Sequence, residues 1–217
     1  MPPKVGVVMF PGTNCEQDVA WAVKVLGGEP QLLWHADPTV GQVDAVVIAG
    51  GFAHGDYLRT GAIARFSPVM DAVADFARSG GPVVGICNGF QILCEAGLLA
   101  GALQKNAGLK FRCQTVPLRV ETTSTVLTRK AEVGQILRIP INHFEGNFVC
   151  DEGTLKELQE NDQIVLRYVD NPNGSLDDIA GICNEGRNVV GLMPHPERAS
   201  EAILGSTDGA VLLRSLL

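Results

Sequence analysis

A single cysteine stands where the chain is expected to turn from a strand into a helix. Cys87 follows the apolar run 82–86 and precedes a helical pattern that begins at Asn88. Residues 85–89 have the pattern Gly-x-Cys-x-Gly, typical of a nucleophile elbow, a tight turn that lifts its side chain above a sheet edge. The free amides and positive dipole end of the following helix would favour thiolate over thiol. We therefore predict that Cys87 is a nucleophile.

A histidine and a glutamate near the C-terminus could supply a base and the group that orients it. His195 and Glu197 lie in the segment Met-Pro-His-Pro-Glu, directly after an apolar run. Flanking prolines favour extended backbone, in which residues i and i+2 point to the same side. Glu197 could then hold the tautomer of His195 while the other ring nitrogen faces Cys87, as in a catalytic triad. For this motif alone, the alternative is a surface histidine beside a solvated glutamate.

A glycine turn after another predicted strand could stabilise the negative charge that develops on an attacked carbonyl oxygen. Gly50-Gly51-Phe52 follows the apolar run 44–49. The backbone amide of Gly51 or Phe52 would donate one hydrogen bond, and the amide of Asn88, the residue after the nucleophile, a second. For the glycine pair alone, a simple change of chain direction is an equally good explanation.

Composition limits the classes of function. The chain has 217 residues, a formal net charge of −7 and no segment rich in basic residues, so nucleic acid and anionic membranes are not expected as partners. No apolar run approaches the length of a membrane span, and the N-terminus lacks the apolar core of a signal peptide. The six cysteines form no Cys-x-x-Cys pair and no zinc spacing. We predict a cytoplasmic protein with reduced thiols and no metal site.

The first half of the chain alternates predicted strands and helices. Such alternation indicates parallel βαβ units in an open, doubly wound sheet with helices on both faces. We expect strands at 4–10, 31–34, 44–49 and 83–86, and helices from Asn14, as N-cap, to about Leu26, at 67–78 and at 88–96.

The second half of the chain is richer in strands. We expect strands at 113–121, 135–141, 164–168, 179–184 and 189–193, and helices at 154–160 and 209–217. No linker or repeat divides the chain. The sequence therefore predicts a single α/β domain, residues 1–217, whose mostly parallel sheet is extended by an added antiparallel β portion.

The three candidate segments occur together, in an order and at separations that resemble the class I, or triad, glutamine amidotransferases. The resemblance covers the whole chain. Four longer segments are similar to the family of glutaminase subunits of phosphoribosylformylglycinamidine synthase, an enzyme of purine biosynthesis. These segments are Pro11-Gly12-Thr13-Asn14-Cys15-Glu16, residues 55–64 (Gly-Asp-Tyr-Leu-Arg-Thr-Gly-Ala-Ile-Ala), Cys87-Asn88-Gly89-Phe90-Gln91 and Glu145-Gly146-Asn147-Phe148.

The resemblance implies a glutaminase that releases ammonia from L-glutamine through a thioester on Cys87. It also implies that Gln91 lies beside bound glutamine and that Glu145 and Gly146 line the substrate pocket. Two segments depart from the family's usual pattern. Ala53-His54 stands where Ser-Tyr is common, and Asn142-His143-Phe144 stands where Ala-His-Gly is more usual.

No phosphate-binding glycine loop or dinucleotide fingerprint occurs, so no cofactor is expected in this chain. A synthetase must activate its acceptor substrate, and the resemblance places that step, with ATP and Mg, on a larger partner subunit. It also implies a small bridging subunit. The ammonia would convert formylglycinamide ribonucleotide to formylglycinamidine ribonucleotide.

Other interpretations use only part of this constellation. One is an amidotransferase subunit of another synthetase, and a second is an elbow-cysteine peptidase or stress protein. A third is a non-catalytic binding or redox-sensing module. His143, near Glu145, could contact substrate or partner, or be a polar loop residue. Cys15 is expected in a capping loop.

Overall fold

The computed structural model describes residues 1–217, and its main feature is one sheet of nine strands. A second sheet has two strands. The strands are β1 (Lys4–Met9), β2 (Glu29–Trp34), β3 (Ala45–Ile48), β4 (Val83–Ile86), β5 (Ala102–Gln104), β6 (Arg112–Val120), β7 (Ile136–His143), β8 (Asn147–Val149), β9 (Ile164–Tyr168), β10 (Ile179–Cys183) and β11 (Val189–Leu192). The helices are α1 (Glu16–Val25), α2 (Pro68–Arg78), α3 (Asn88–Glu95), α4 (Glu152–Glu160) and α5 (Asp208–Leu213).

The strand order of the large sheet is β2-β1-β3-β4-β11-β10-β9-β6-β7. The first five of these strands pair in parallel, and the remaining pairings are antiparallel. The predicted fold class is therefore confirmed, including the antiparallel extension. The next strand along the chain, β2, lies on one side of β1, and the one after it, β3, lies on the other. The strand order therefore reverses beside β1, which makes this a topological switch point. In open α/β sheets, ligands bind at the carboxyl ends of the strands at such a point.

The central strands are apolar on both faces because helices cover both sides of the sheet. Every residue of β3, β4 and β11 is buried, as expected for parallel strands between two helical layers. Helix α1 packs on β1 and β2 and contacts α5, and α3 packs on β3, β4 and β11. None of the helices is both long and apolar enough to cross a membrane.

The start of the first helix and the end of the last differ from the sequence prediction. Helix α1 begins at Glu16 with Cys15, not Asn14, in the N-cap position. The amides of Asn14 and Cys15 both donate to the carbonyl of Gly50, at 3.2 and 3.1 Å. These bonds join the start of α1 to the end of β3. The last helix ends at Leu213 instead of continuing to the C-terminus.

The small sheet of β5 and β8 was not predicted. Each of its strands has only three residues, too few for an alternating pattern to stand out from the surrounding chain. Phe148 in β8 is fully buried and stacks on Phe90 of α3, with ring centroids 6.1 Å apart. This sheet therefore packs against the helix that follows the elbow.

Helix α3 lies very close to β3, and one glycine permits this approach. A Cβ on Gly89 would lie 2.0 Å from the carbonyl oxygen of Ile48. That oxygen belongs to the backbone of a central strand, so it cannot move aside without displacing the strand. Gly89 is thus needed for the position of α3 and of the elbow that precedes it.

We expect Gly89→Ala to lower the free energy of unfolding by about 1–3 kcal/mol, because an overpacked core must shift its backbone. The measurement is urea unfolding followed by circular dichroism. The control is Gly108→Ala, where an added Cβ would come no closer than 3.4 Å to the end of the Arg112 side chain. Equal stability of the Gly89 variant and the control would contradict this packing argument.

Candidate active site

Cys87 occupies the turn between β4 and α3. Its backbone has φ 53° and ψ −106°, a conformation that residues with a side chain adopt only when the surroundings enforce it. The Cys87 amide donates to Leu192 of β11 at 2.8 Å, and its carbonyl accepts from Phe90 and Gln91 at 3.0 and 3.2 Å. The neighbouring strand β11 and the first turn of α3 thus hold this strained residue in place. The strand–turn–helix geometry of a nucleophile elbow is therefore present.

His195 and Glu197 form a buried pair after the end of β11. The distance from His195 Nδ1 to Glu197 Oε1 is 2.6 Å, and both side chains are almost inaccessible to solvent. The backbone amide of His195 donates to Pro140 of β7 at 2.8 Å. A 3-10 turn over Pro196–Ala199 brings the carboxylate back to the ring, so the pairing does not depend on the regular extended segment that the sequence suggested.

The side chains of Cys87, His195 and Cys15 all lie close to the point that a Cβ atom on Gly50 would occupy. The position of a Cβ on Gly50 is 3.0 Å from His195 Cε1 and 3.4 Å from both Cys87 Cβ and Cys15 Sγ. A side chain here would fill the space between the imidazole and the two cysteines. The structure therefore brings the predicted nucleophile and base together, and it adds a second thiol.

The electrostatic surroundings favour a protonated imidazole. Burial by itself would lower the pKa of His195, but the negative charge of the Glu197 carboxylate, followed by that of Cys87, raises this pKa well above its usual value. A protonated His195 can donate a proton to a leaving group, and its positive charge would stabilise an anion beside it.

The candidate oxyanion donors differ in whether their amides are free. The Phe52 amide donates to the carbonyl of Gly12 at 2.9 Å, whereas the Gly51 amide donates no hydrogen bond within the chain. The Asn88 amide begins α3 and has no acceptor within that helix. In the glycine turn, the amide of Gly51 is therefore free to donate a hydrogen bond to an oxyanion. Phe52 contributes its half-exposed side chain to the cleft.

The buried Asn88 side chain connects the glycine turn to the helix. Its Oδ1 accepts a hydrogen bond from the amide of Ala53 at 3.0 Å. Its Nδ2 donates to Asp56 Oδ1 at 3.1 Å and to Gln91 Oε1 at 2.8 Å. Gln91 in turn donates to the carbonyl of Glu145. The side chain of Asn88 is thus bonded to the turn at Ala53 and Asp56 and, through Gln91, linked to Glu145. These bonds fix Asn88, the residue after Cys87, relative to both segments.

These groups surround a small cleft, with a volume of about 70 Å³. Six of the predicted site residues line it, while Asn88, Gly146 and Glu197 lie behind its wall. The lining consists of Asn14, Cys15, Gly51, Phe52, Asp56, Thr60, Cys87, Gln91, Asn142, His143, Phe144, Glu145, His195 and Arg198. Both departures from the usual family pattern adjoin the cleft, since Asn142 and Phe144 line it and Ala53 is bonded to Asn88.

Gly146 was predicted to line the pocket, and the structure places it in the supporting layer. Its amide donates to Asn106 Oδ1 at 3.2 Å, and its carbonyl accepts from Asn173 Nδ2 at 2.8 Å. A Cβ at this position would lie 2.3 Å from the ring of His143. The absence of a side chain therefore allows His143 to pack against the backbone beneath Glu145.

His143 is a buried residue at the end of β7, not a polar loop histidine. Its Nδ1 lies 3.1 Å from Asn106 Oδ1. Burial, followed by repulsion from His195, lowers the pKa of His143 to about 4. The ring is therefore neutral at physiological pH, and it lines the cleft without adding charge.

Asp56 is a cleft residue that the sequence analysis did not identify. Burial raises its pKa to about 6, and repulsion from Glu145 adds to the rise, although the hydrogen bond from Asn88 opposes it. Its backbone has φ 52°, within a turn in which His54 and Gly55 also have positive φ. No sequence signal marks this turn as one that would direct a carboxylate into the site.

Cys15 is the second unexpected residue. It is 2% exposed, and its sulfur accepts a hydrogen bond from Arg198 Nη2 at 3.2 Å. Arg198 also pairs with Asp18, at 3.3 Å. Potential ligand atoms of Cys15, His195 and Glu197 all lie within 4.8 Å of one another. The position of Cys15 before α1, against Gly50, explains why a thiol that looked like part of a capping loop reaches the site.

Comparison with known proteins identifies the family. Residues 2–208 match the CobB/CobQ-like glutamine amidotransferase domain. The chain is 57% identical over 214 residues to the phosphoribosylformylglycinamidine synthase subunit PurQ of Rubrobacter xylanophilus, covering 99% of this chain and 97% of the relative. It is 55% identical to the PurQ subunit of Koribacter versatilis, with the same coverage.

A solved structure agrees with these sequence relatives. A chain in the structure of PurLQS from Thermotoga maritima superposes with a TM-score of 0.92 at 42% identity, covering 100% of this chain and 98% of that one. The chain therefore belongs to the CobB/CobQ-like glutamine amidotransferases and, among them, to the PurQ family of phosphoribosylformylglycinamidine synthase subunits.

Proposed function

We propose that this chain is the glutaminase subunit of a phosphoribosylformylglycinamidine synthase and that Cys87, His195 and Glu197 are its catalytic triad. The observation that carries the proposal is the buried His195–Glu197 pair beside the elbow cysteine at the end of three parallel strands. The relatives named PurQ support the acceptor reaction, and the geometry supports these three residues for the glutaminase half.

The first half-reaction releases ammonia. The Cys87 thiolate attacks the side-chain amide carbon of L-glutamine, a C–S bond forms, and the carbonyl electrons move to oxygen. The amides of Gly51 and Asn88 stabilise this oxyanion. Protonated His195 then gives its proton to the amide nitrogen, the C–N bond breaks, and ammonia leaves a glutamyl thioester on Cys87.

The second half-reaction restores the enzyme. Neutral His195 takes a proton from water, whose oxygen attacks the thioester carbon. The C–S bond breaks, glutamate leaves, and the thiolate–imidazolium pair forms again. Glu197 holds the ring throughout, because its carboxylate fixes Nδ1 and leaves Nε2 to exchange the proton.

The charges of the cleft suit a zwitterionic amino acid. Asp56 and Glu145 lie on the side reached by Gln91, and the guanidinium of Arg198 lies on the side of His195. Burial is the main cause of the raised pKa of Asp56, and a substrate ammonium group near the two carboxylates would offset the smaller contribution from repulsion by Glu145. Gln91 and Glu145 therefore keep their predicted roles in glutamine binding, and Asp56 joins them.

The ammonia must reach its acceptor without entering bulk water, where it would be protonated and lose its nucleophilic electron pair. We place the ATP- and Mg-dependent amidation on a larger synthetase subunit, with a small subunit bridging the two. The structure of PurLQS from Thermotoga maritima contains a chain of this family. A reducing compartment such as the cytoplasm suits a glutaminase with six unpaired cysteines, one of them the nucleophile.

We expect Cys87→Ala to abolish glutamine-dependent synthesis in the assembled complex while added ammonium salt still supports synthesis. The substitution removes the nucleophile but leaves the synthetase active. Product formation with each nitrogen source is the measurement, and Cys113→Ala, which removes an exposed thiol, is the control. Loss of both activities in an assembled, folded variant would contradict the glutaminase role.

Glu197→Gln should lower kcat/KM for glutamine by roughly 10²–10⁴-fold, the usual contribution of general acid–base catalysis. Without the negative charge of the carboxylate, the pKa of His195 should fall. The alkaline limb of the pH profile should therefore move to lower pH. Glutamate release by the complex across a pH series is the measurement. Glu185→Gln, in an exposed turn, is the control, and an unchanged profile for the Glu197 variant would refute its orienting role.

Asp56→Asn should stabilise the folded chain above pH 6 but not near pH 4. The pKa of Asp56 rises from 3.8 to about 6 on folding, so the folded state holds this proton more tightly than the unfolded chain. Ionisation therefore costs the wild type stability as pH rises through that window. The difference in Tm between variant and wild type is measured at both pH values. Asp170→Asn removes an exposed charge as the control, and a difference that is the same at both pH values would be the contrary result.

A further inference from the structure

A buried asparagine that lies outside the cleft is bonded to one of its walls. Asn106 lies between β5 and β6, is fully buried and does not line the cleft. Its backbone amide donates to the carbonyl of Phe144 at 2.9 Å, and its Nδ2 donates to the carbonyl of His143 at 3.0 Å. Its Oδ1 accepts from the amide of Gly146 at 3.2 Å. Asn106 is thus bonded to three of the four residues of the segment 143–146, which we call the wall segment.

The bonds of Asn106 also determine which ring nitrogen of His143 carries the proton. Its Nδ2 faces two backbone carbonyls, those of His143 and Lys110, which can only accept, and its Oδ1 faces the amide of Gly146, which can only donate. The orientation of the side-chain amide is therefore fixed by its neighbours. Because the atom 3.1 Å from His143 Nδ1 is this oxygen, Nδ1 must be the protonated nitrogen. His143 Nε2 is left unprotonated, and it is buried with no partner in the chain.

The wall segment carries groups that the proposed reaction uses for glutamine. Phe144 and Glu145 line the cleft, and the carbonyl of Glu145 accepts a hydrogen bond from Gln91. Asn106 is bonded to the residues on both sides of Glu145 and has no place in the lining itself. Its influence on a bound substrate must therefore pass through the wall segment.

We propose that Asn106 is a positioning residue for glutamine binding, which fixes the wall segment and holds the proton of His143 on Nδ1. This inference rests on the proposed function, since it names a residue that acts through the glutamine-binding wall. A neutral acceptor on Nδ1 also suits the charges of the site. An uncharged His143 avoids a second positive charge near protonated His195, whose repulsion contributes to the low pKa of His143.

The position of the His143 proton can be measured without any enzymatic activity. A long-range proton–nitrogen NMR spectrum of the reduced chain with isotope-labelled histidine distinguishes a protonated Nδ1 from a protonated Nε2, and His143→Gln assigns the signals. We expect wild-type His143 to be protonated on Nδ1 at neutral pH. Asn106→Ala should lose that preference because the acceptor is gone, whereas Asn106→Asp keeps an acceptor and should keep it. A wild-type His143 with its proton on Nε2 would overturn the inference.

Steady-state kinetics of the assembled complex test the effect on the wall segment. Asn106→Ala and Asn106→Asp both lose the Nδ2 donors, so each should raise KM for glutamine about five- to tenfold, the effect of roughly one lost hydrogen bond, while kcat changes much less. Partial unfolding has a different effect, because it lowers kcat through the active fraction and leaves KM unchanged. Asn161→Ala, which removes an exposed asparagine side chain, is the matched control and should have the wild-type KM.

An unchanged KM in both Asn106 variants would overturn the inference. If Asn106→Ala fails to fold, the wild-type spectrum and the kinetics of Asn106→Asp still decide it. A wild-type complex that releases no glutamate would instead count against the proposed function. The NMR spectrum separates these two failures, since it reports the bond between Asn106 and His143 whether or not the chain is a glutaminase.

Discussion

The buried bond between His195 and Glu197 has chemical value only because adjacent parallel strands end at one edge of the sheet. β3, β4 and β11 are neighbours, and the chain after each strand turns into the cleft. Parallel pairing aligns their carboxyl ends, so residues far apart in sequence meet without long loops. Gly50 completes the constraint, since a side chain there would separate the imidazole from the sulfur. The geometry of the sheet is thus what brings the three residues of the proposed triad together.

The sequence predicted the parts of the site that depend on local backbone geometry. The elbow at Cys87 is set within a few residues, and the structure has it. The pairing of His195 with Glu197 was also predicted, but a 3-10 turn produces it instead of the extended backbone that the prolines suggested. Cys15 and Asp56 could not be predicted in the same way. Cys15 reaches the site because two amides bond to Gly50 on another strand, and Asp56 because of a left-handed turn. Both positions are set by tertiary contacts that leave no periodic signal.

The same distinction explains the predicted fold. Strands β3, β4 and β11 are continuous apolar runs, and the helices between them have clear start signals such as Pro68. The order of the antiparallel strands is set by pairing between distant segments, for example β6 between β9 and β7, so the sequence supports the presence of these strands better than their arrangement. The choice between Gly51 and Phe52 as oxyanion donor also required the structure, since it depends on which amide already has an acceptor.

The turn that contains Asp56 links the outer surface to the catalytic centre. His54, Asp56 and Leu58 have positive φ, which costs of order 1 kcal/mol for each residue and persists only while surrounding contacts enforce it. The contacts that do so include the bonds from Asn88 to Ala53 and Asp56. Tyr57 and Leu58 are largely exposed on the same turn. A displacement of the backbone of this turn would therefore reach Asn88, whose side chain is bonded to both Ala53 and Asp56.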